Sequence, residues 1–450
     1  MLGINQELKK LEEMGKRIKV GLIGTGQMGT DIISQVSIMK GIKIVAAVDL
    51  DINRVIKAYQ IAGLSDKDIV KVNNIENAEF AIEKDRVIAT DDFRIVTDLN
   101  QVDIIIEATG SPEIGAKAGL RTIFKQKHLI MMNVETDITI GPIMKWYADQ
   151  QGIIYSLASG DEPAAIQELY DFTNSLGLRV IVAGKGKNNP LDRSATPDKF
   201  EKEAARRGLT PNMLVEFIDG TKTMIEMAAV SNSTGLIPDI RGMHGPHIYV
   251  KDLLSSFKLE EEDGILNNEG VVDYVIGDLA PGVFLIFKTD QPRLKECLVL
   301  RDMGSGPNYL LIRPYHLCSM EVPLTVARAI IQKQNTMAPQ YRLVSEVLSI
   351  AKVDILESAI LESIGGATHY GLIDRFEVAV HERALPIGLA KGSIALRNIK
   401  KGEVICYHDV SLPQGSTVII LRQLQDKFLT ENLDSKKLLT QIEAVVRSQL

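Results

Sequence analysis

The sequence predicts an α/β fold that begins with a doubly wound parallel sheet over residues 1–158. Short apolar runs alternate there with stretches of helical periodicity, and most of the runs end in small or polar residues. This alternation is typical of parallel strands that are joined by crossover helices. Beyond it we expect an α+β domain over residues 159–340 and a small β-rich domain over residues 341–450.

In the first region each apolar run predicts a strand and each stretch between runs predicts a helix. A short amphipathic helix over residues 4–16 comes first. Residues 63–92 are rich in Asp, Lys, Asn and Glu, and we expect an insertion with helical pieces near 66–71 and 76–83. The predicted strands are Ile18–Ile23, Lys43–Val48, Val102–Ala108, His128–Asn133 and Ile153–Leu157. The predicted helices are Asp31–Met39, Ile52–Ile61, Ile114–Lys125 and Pro142–Gln151.

The rest of the chain is less regular. Residues 198–231 look helical with a break near 208–212, and the Gly, Pro and Asp content of residues 232–310 predicts loops and antiparallel strands. Further helices are predicted at Ala164–Leu176, Leu324–Lys333 and Asp434–Ser448. Further strands are predicted at Val180–Asn189, Tyr309–Arg313 and Ser416–Leu421, with two short ones within residues 389–405.

A glycine motif directly follows the first strand. Gly24, Gly26 and Gly29 have the spacing G-x-G-x-x-G, with Gln27 and Met28 between the last two. In a Rossmann dinucleotide-binding unit the first glycine makes a tight turn, the second admits a pyrophosphate, and the third lets helix and strand pack closely. The alternative, three glycines in an ordinary turn, is disfavoured because a strand precedes the motif and a helix can follow it.

Three other positions extend this predicted cofactor site. Asp49 ends the second strand 20 positions after Gly29, where a ribose-binding carboxylate is expected, and this favours NAD. Arg54 lies five positions later and could meet the 2′-phosphate of NADP, so the choice between NAD and NADP stays open. Later strand ends should hold the nicotinamide and its ribose, through Thr109, Gly110, Ser111 and Asn133.

Composition excludes several classes of function. The net charge of −7 gives no indication of a basic face, so we expect no nucleic-acid partner. No uncharged apolar run approaches the ~20 residues that span a bilayer, and the charged N-terminus lacks a signal-type apolar core. Cys297, Cys318 and Cys406 have neither metal-ligand nor disulfide spacing. These features predict a soluble cytoplasmic protein with no membrane partner.

The strongest catalytic candidates are two lysines at one strand end. Lys185 and Lys187 alternate with glycines, so both should point to the same side of the strand. A lysine can bind phosphate or, when desolvated, donate a proton. Asn188 and Asn189 could add hydrogen bonds to substrate hydroxyls. The alternative is a pair of solvated lysines on a turn.

Acidic residues supply further candidates. Asp161 and Glu162 could bind substrate hydroxyls, work with a lysine, or hold a divalent metal (Mg²⁺ or Mn²⁺), although an acid just before Pro163 also suits a helix N-cap. Glu135, just after the fourth strand, is a further catalytic candidate. Asp219 and Lys222 should share a helix face if their segment is helical.

One further cation is a candidate for binding the substrate. Arg241 stands in a Gly/Pro-rich segment with His244 and His247, where it could pair with a phosphate or carboxylate. A plain connecting loop is the alternative for this segment.

Several segments resemble known families. The nucleotide-binding half resembles homoserine dehydrogenases, and Phe217–Met224 is similar to their Asn-Gly-Thr segment except that Asp219 replaces Asn. The C-terminal segment Arg397–Ile405 with Asp409–Val410 resembles the SAF domain. The combination resembles the predicted homoserine dehydrogenases with a SAF tail. The residues of the first likeness are Gly24, Gly26, Gly29, Asp49 and Glu107–Gly110.

That group includes deoxyxylulose phosphate reductoisomerases. The resemblance implies an NADPH-dependent homodimer that converts 1-deoxy-D-xylulose 5-phosphate, a phosphorylated small-molecule substrate, to 2-C-methyl-D-erythritol 4-phosphate in isoprenoid synthesis. Two alternatives stay open at this point. One is a dehydrogenase of homoserine or a related hydroxy acid, and the other is a non-catalytic dinucleotide-binding sensor.

Overall fold

The structure is a computed structural model that describes residues 3–431 and 434–448. The chain divides into two compact units, each assembled from separate stretches of sequence. Unit 1 comprises Met1–Asp161, Leu317–Tyr341 and Gly415–Leu450. Unit 2 comprises Glu162–His316 and Arg342–Gln414. The segment that the sequence predicted as one C-terminal domain therefore contributes to both units, and the three-domain division stays a prediction.

Unit 1 is a parallel sheet flanked by helices. Its strands are β1 (Ile18–Ile23), β2 (Ile42–Val48), β3 (Ile69–Lys71), β4 (Val87–Thr90), β5 (Ile104–Glu107), β6 (His128–Met131) and β7 (Tyr155–Leu157). Its helices before residue 161 are α1 (Ile4–Glu13), α2 (Gln27–Ser37), α3 (Ile52–Ile61), α4 (Ile75–Glu83), α5 (Phe93–Asp98), α6 (Pro112–Phe124) and α7 (Val134–Gln150).

The strand order β3-β4-β2-β1-β5-β6-β7 confirms the predicted doubly wound sheet. The order reverses direction between β1 and β5, which is where ligands bind in open α/β sheets. Ile23 lies beside both Val48 and Glu107, and Glu107 lies beside Met131. The carboxyl ends of β1, β2, β5 and β6 therefore meet at one edge.

Two local predictions for unit 1 are wrong. Residues 63–92 are not an insertion, because β3 and β4 extend the same sheet and β4 pairs with β2. Their apolar runs are only three or four residues long, too short to stand out among charged neighbours. Ser416–Leu421 is not a strand, because its β-branched run opens the helix α16 (Thr417–Glu431), which buries Val418 and Leu421.

Unit 2 holds a mixed five-stranded sheet of order β12-β11-β8-β10-β9. β10 pairs parallel to β8, whereas β11 and β12 are antiparallel neighbours. Its larger helices are α8 (Glu162–Ser175), α9 (Pro197–Arg207), α10 (Pro211–Ile218), α11 (Thr221–Thr234) and α13 (Pro292–Val299), with a short α12 (Leu253–Ser256). The strands are β8 (Arg179–Lys187), β9 (Ile237–Pro238), β10 (Val271–Ile276), β11 (Val283–Lys288) and β12 (Asn308–Arg313).

The later segments complete each unit. α14 (Val322–Ala327), a π-helical turn at Arg328–Gln332, α16 (Thr417–Glu431) and α17 (Ser435–Arg447) belong to unit 1. β13 (Ser345–Ala351), β14 (His369–Arg375), α15 (Phe376–Glu382), β15 (Ile394–Ala395) and β16 (Val410–Ser411) belong to unit 2. β13 and β14 form an antiparallel ribbon that packs on α11. None of the helices among the described residues is long and apolar enough to cross a membrane.

Candidate functional site

The glycine motif follows β1, and each of its glycines has a distinct role. Gly24 has φ +97°, and a Cβ there would lie 2.8 Å from the Ala108 carbonyl oxygen. A Cβ on Gly29 would lie 2.1 Å from the Gly24 oxygen, so α2 can approach β1 only without it. Gly26 caps α2, and a Cβ there would meet no atom within 4 Å. The open side of Gly26 is therefore the approach to the free N–H groups of α2.

Asp49 lies beside this loop as the sequence predicted. Its Oδ2 accepts hydrogen bonds from the Thr25 N–H at 2.9 Å and the Thr25 hydroxyl at 3.2 Å. The next residue, Leu50, is 93% exposed, and Arg54 is exposed in the first turn of α3. The turn after β2 thus presents a fixed carboxylate, an apolar side chain and a cation.

The ends of β5 and β6 are tied to each other. Glu107 accepts hydrogen bonds from the N–H and the hydroxyl of Thr109, and burial raises the pKa of Glu107 to about 7. Asn133 caps α7 by accepting the Thr136 N–H at 3.1 Å and donates to the Ser111 carbonyl at 3.0 Å. We call the carboxyl edge that holds Gly24, Asp49, Thr109 and Asn133 the cofactor edge.

The remaining predicted cofactor residues stand around these four. Gln27 is exposed, Met28 is half-buried, and Gly110, with φ +68°, is exposed before α6, which Ser111 caps. Glu135 is buried in the first turn of α7. Their roles in cofactor binding and catalysis stay predictions.

In unit 2 both predicted lysines are buried at the carboxyl end of β8. The Lys185 ammonium donates to Glu162 Oε1 at 2.6 Å and to Glu226 Oε2 on α11. Burial opposes the charged form of Lys185, but the two carboxylates outweigh burial and raise its pKa. Burial, together with the charge of Glu162, raises the pKa of Glu226. We call Lys185, Lys187, Glu162 and Glu226 the lysine cluster.

Lys187 is the lysine of this cluster whose pKa is lowered toward neutral pH. Its ammonium donates to the Phe217 carbonyl at 2.7 Å and lies on the same side of β8 as Lys185. Burial, aided by the charge of Lys185, lowers the pKa of Lys187 to about 8. A lysine with such a pKa can donate and recover a proton near physiological pH.

Asp219 and Lys222 do not share a helix face. Gly220 has φ +88° and separates α10 from α11, so Asp219 ends one helix and Lys222 lies in the next. Asp219 instead forms a fully buried ion pair with Lys352 at 2.8 Å. The Lys352 ammonium also donates to the carbonyls of Ala195 at 2.8 Å and Gly366 at 2.7 Å.

Lys222 acts electrostatically on the lysine cluster. It precedes Glu226 by four residues on α11, which places the two on the same face. The positive charge of Lys222 lowers the pKa of Glu226 and so opposes the effect of burial.

The other predicted substrate residues have varied surroundings. Asn188 is exposed and Asn189 half-buried just after β8, and Asp161 is half-buried at the end of unit 1. Arg241 donates to Asp374 at 2.6 Å and to Glu382 at 2.7 Å. A substrate anion would have to compete with these two carboxylates for the guanidinium.

A divalent metal does not suit the surroundings of Glu162. Its Oε1 accepts from the Lys185 ammonium at 2.6 Å and lies 3.5 Å from His316 Nε2. The Lys185 ammonium, which Glu162 shares with Glu226, occupies this oxygen and repels a second cation there, although Asp161, Glu162 and His316 have possible ligand atoms within 4.8 Å of one another. We therefore derive no step through Mg²⁺ or Mn²⁺.

Sequence reasoning missed Glu226 and Lys352. Glu226 lies 41 residues from Lys185, and Lys352 lies 133 residues from Asp219. Lys352 carried a usable signal, because it lies in the apolar run 344–353, directly after the buried strand β13. A lone lysine in a buried apolar run requires a buried partner.

Comparisons with known proteins agree with this arrangement. Residues 160–322 match the family model described as "Oxidoreductase DRL, catalytic domain". This range includes Lys185, Lys187 and Glu226. No protein with a curated description matches the sequence.

Solved structures of bacterial oxidoreductases are similar to this chain at low identity. The dehydrogenase from Chromobacterium violaceum is 18% identical with a TM-score of 0.28, over 40% of this chain and 47% of that chain. The putative oxidoreductase yvaA from Bacillus subtilis is 12% identical with a TM-score of 0.37, over 71% and 90%. Apo scyllo-inositol dehydrogenase from Lactobacillus casei is 11% identical with a TM-score of 0.38, over the same shares.

The chain thus spans less than half of the Chromobacterium violaceum dehydrogenase. The catalytic-domain match covers residues 160–322, and the parallel sheet of unit 1 carries the dinucleotide-binding motif at its switch point. Residues 160–322 are thus similar to the catalytic domain of an oxidoreductase.

Proposed function

We propose that this protein converts 1-deoxy-D-xylulose 5-phosphate to 2-C-methyl-D-erythritol 4-phosphate with NADPH, as an isoprenoid-pathway reductoisomerase that works as a homodimer. The observation that carries the proposal is the lysine cluster. Two buried ammonium groups on one side of β8 can hold a phosphorylated, oxygen-rich substrate. A buried carboxylate with a raised pKa stands beside them as a base.

The cofactor edge fits a dinucleotide. Gly26 leaves room for a pyrophosphate against the α2 N-terminus, and Asp49 presents its carboxylate at the neighbouring strand end. Gly24, Gln27 and Met28 would complete the phosphate loop. When bound, the reduced nicotinamide supplies a hydride to a carbonyl carbon.

The residues of the lysine cluster divide the proton transfers between them. Glu226 takes the proton of the substrate hydroxyl, one C–C bond breaks as another forms, and Glu226 returns the proton to the former ketone oxygen. The ketose thereby becomes a branched aldehyde. Lys187 gives its proton to the aldehyde oxygen as the carbon is reduced, which completes the alcohol. Lys185 stays protonated and stabilises the negative charge that develops on oxygen. One substrate, one NADPH and one proton thus give one product and one NADP⁺.

Homoserine dehydrogenation is the less favoured alternative. An amino-acid substrate needs a free carboxylate for its ammonium group, and the likeness to homoserine dehydrogenases assigns the segment around Asp219 to substrate. Asp219 Oδ2 is held by Lys352 at 2.8 Å inside the protein. A non-catalytic sensor would gain nothing from burying so many charges, since their desolvation costs stability. The SAF-like segment, Arg397–Ile405, stays part of the proposal as a resemblance.

A substrate panel tests the proposal. NADPH and NADH absorbance would be followed with deoxyxylulose phosphate, aspartate semialdehyde and small sugar acids. We expect turnover of deoxyxylulose phosphate, with methylerythritol phosphate identified as product by mass spectrometry and NMR. Turnover of only aspartate semialdehyde would contradict the proposal and favour homoserine dehydrogenation. Cofactor binding without any turnover would favour the sensor.

Replacing Lys187 tests its role as proton donor. We expect Lys187→Met to lower kcat by about 10²–10⁴-fold, the usual range for loss of general acid catalysis. The protonated form is the active one, so wild-type activity should fall as pH rises through about 8. Lys187→Arg keeps the charge but cannot release a proton, so its residual rate should lack this alkaline limb. An unchanged alkaline limb in both variants would remove Lys187 from this role.

A further inference from the structure

Unit 1 contains a cavity of about 670 Å³ that takes no part in the proposed reaction. It is lined by α1, by the residues that precede β1, β5 and β6, and by the end of the π-helical turn. These strands begin at the cavity and end at the cofactor edge. The cavity therefore lies at the opposite edge of the sheet from the glycine motif. Its volume falls in the range of small-molecule sites.

The lining is rich in positive charge although the whole chain carries −7. Five cations face two carboxylates, those of Glu7 and Asp103. Glu7 is paired with Lys10 at 2.8 Å, and Asp103 accepts the Lys19 N–H at 2.8 Å. The cations are Lys10, Lys16, Arg17, Lys127 and Lys333. Arg17 is paired with Glu12 at 2.8 Å, so the excess of positive charge rests on Lys16, Lys127 and Lys333.

Lys127 is the cation of this lining that gives the strongest argument for a bound anion. It is only 8% exposed, and no carboxylate oxygen of the described residues lies within 4.0 Å of its ammonium. Burial lowers its pKa. The charges of Asp98 and Asp103 oppose this effect from beyond ion-pair distance. A buried ammonium with no carboxylate at ion-pair distance can accept an anion from the cavity.

The rest of the lining is apolar. Leu11 and Met14 contribute from α1, and Ile330 and Ile331 contribute from the π-helical turn. Met14 is 60% exposed, so its side chain is open to contact from a ligand. The wall thus combines a cationic part with an aliphatic part.

We propose that this cavity binds a small organic anion, with a carboxylate or phosphate head held by Lys127 and a short aliphatic body packed on Leu11, Met14 and Ile331. The anion supplies Lys127 with a partner at ion-pair distance, and its aliphatic body covers Met14. Its site is separate from the cofactor edge, so ligand and NADPH bind independently.

Calorimetric titration of the full chain with octanoate and octyl phosphate tests the proposal. We expect binding below about 1 mM to the wild type, and at least about tenfold weaker binding to Lys127→Met. Octanol, which has the same body without charge, should bind at least about tenfold more weakly than octanoate. Octanoate and octyl phosphate are compared to decide which head group the site prefers.

Two control variants keep the test decisive. Lys84→Met removes an exposed lysine of α4 outside the cavity and should bind octanoate like the wild type. Lys16→Met removes an exposed cation of the lining and should weaken binding about threefold even if Lys127→Met fails to fold. Equal affinity in the wild type and both cavity variants would overturn the proposal. Loss of octanoate binding at saturating NADPH would also overturn it.

Discussion

The cofactor edge of unit 1 and the lysine cluster of unit 2 depend on different kinds of chemical group. The cofactor edge relies on backbone: glycines, helix N-termini and short capping bonds between residues close in sequence. The lysine cluster relies on buried charges that come from α8, β8 and α11. The glycine loop and Asp49 of the cofactor edge come from one βαβ unit, whereas the lysine cluster exists only after unit 2 has folded.

This difference has a thermodynamic consequence. Backbone turns cost little once glycine is present, but buried ionic groups must be paired to offset their desolvation. Changes in unit 2 that remove one ionic partner should therefore unfold the protein. Changes in the glycine loop should divide into those that affect packing and those that affect the ligand.

The largest effect is expected for the buried pair of Asp219 and Lys352. Lys352→Met leaves Asp219 buried without its counter-charge, which should cost about 3–5 kcal/mol of unfolding free energy. Asp219 already has a raised pKa because of its burial, and loss of Lys352 should raise this pKa further. A carboxyl whose folded pKa is raised loses stability as pH rises, so the cost should be larger at pH 8 than at pH 5. Urea unfolding at both pH values measures it.

A double variant completes this cycle. Asp219→Asn combined with Lys352→Met removes both charges and should recover part of the lost stability at pH 8. Additive losses from the two single variants would show that the pair is not coupled. The pairing of buried charges would then not explain the stability of unit 2.

The same contrast explains what the sequence could predict. Gly24, Gly26, Gly29 and Asp49 lie within 26 residues, and their spacing alone predicts the geometry of the cofactor edge around them. The strand periodicity also placed Lys185 and Lys187 on one side of β8. It could not supply Glu226, because a partner on another element is set by tertiary packing.

The errors in the fold have a similar origin. β3 and β4 are short strands whose place is decided by pairing with β2 rather than by their own composition. Ser416–Leu421 has the β-branched residues of a strand, but Ser416 and the N–H groups of Thr417 and Val418 bond to the carboxylate of Glu113 on α6. That distant acid caps the start of α16 and favours the helix.

The second-largest effects are expected for two glycines of the cofactor edge, one that affects packing and one that affects ligand binding. Gly29→Ala would place a Cβ 2.1 Å from the Gly24 oxygen, so we expect a loss of about 1–3 kcal/mol in stability. Gly26→Ala meets no atom within 4 Å, so its melting temperature should match the wild type. Its Cβ would instead fill the pyrophosphate approach and weaken NADPH binding by about tenfold or more. Calorimetry of unfolding and of binding measures the two effects.

The matched pair can fail in two informative ways. If Gly26→Ala binds NADPH as well as the wild type, the dinucleotide does not approach over Gly26. If Gly29→Ala melts at the wild-type temperature, α2 can shift away from β1 at no cost. Either result would break the division between packing and ligand effects.

The smallest effect concerns the choice between the two dinucleotides. Arg54 is exposed one turn past Asp49, and its guanidinium can pair with a 2′-phosphate but has no partner on a 2′-hydroxyl. We expect Arg54→Ala to raise KM for NADPH about tenfold and to leave KM for NADH nearly unchanged, because one charge-assisted contact is worth about 1.4 kcal/mol. Lys57→Ala, an exposed cation in the next turn of α3, is the matched control and should change neither constant. Equal changes for both dinucleotides would assign Arg54 to general attraction of phosphate, and Asp49 would then make this edge an NAD site.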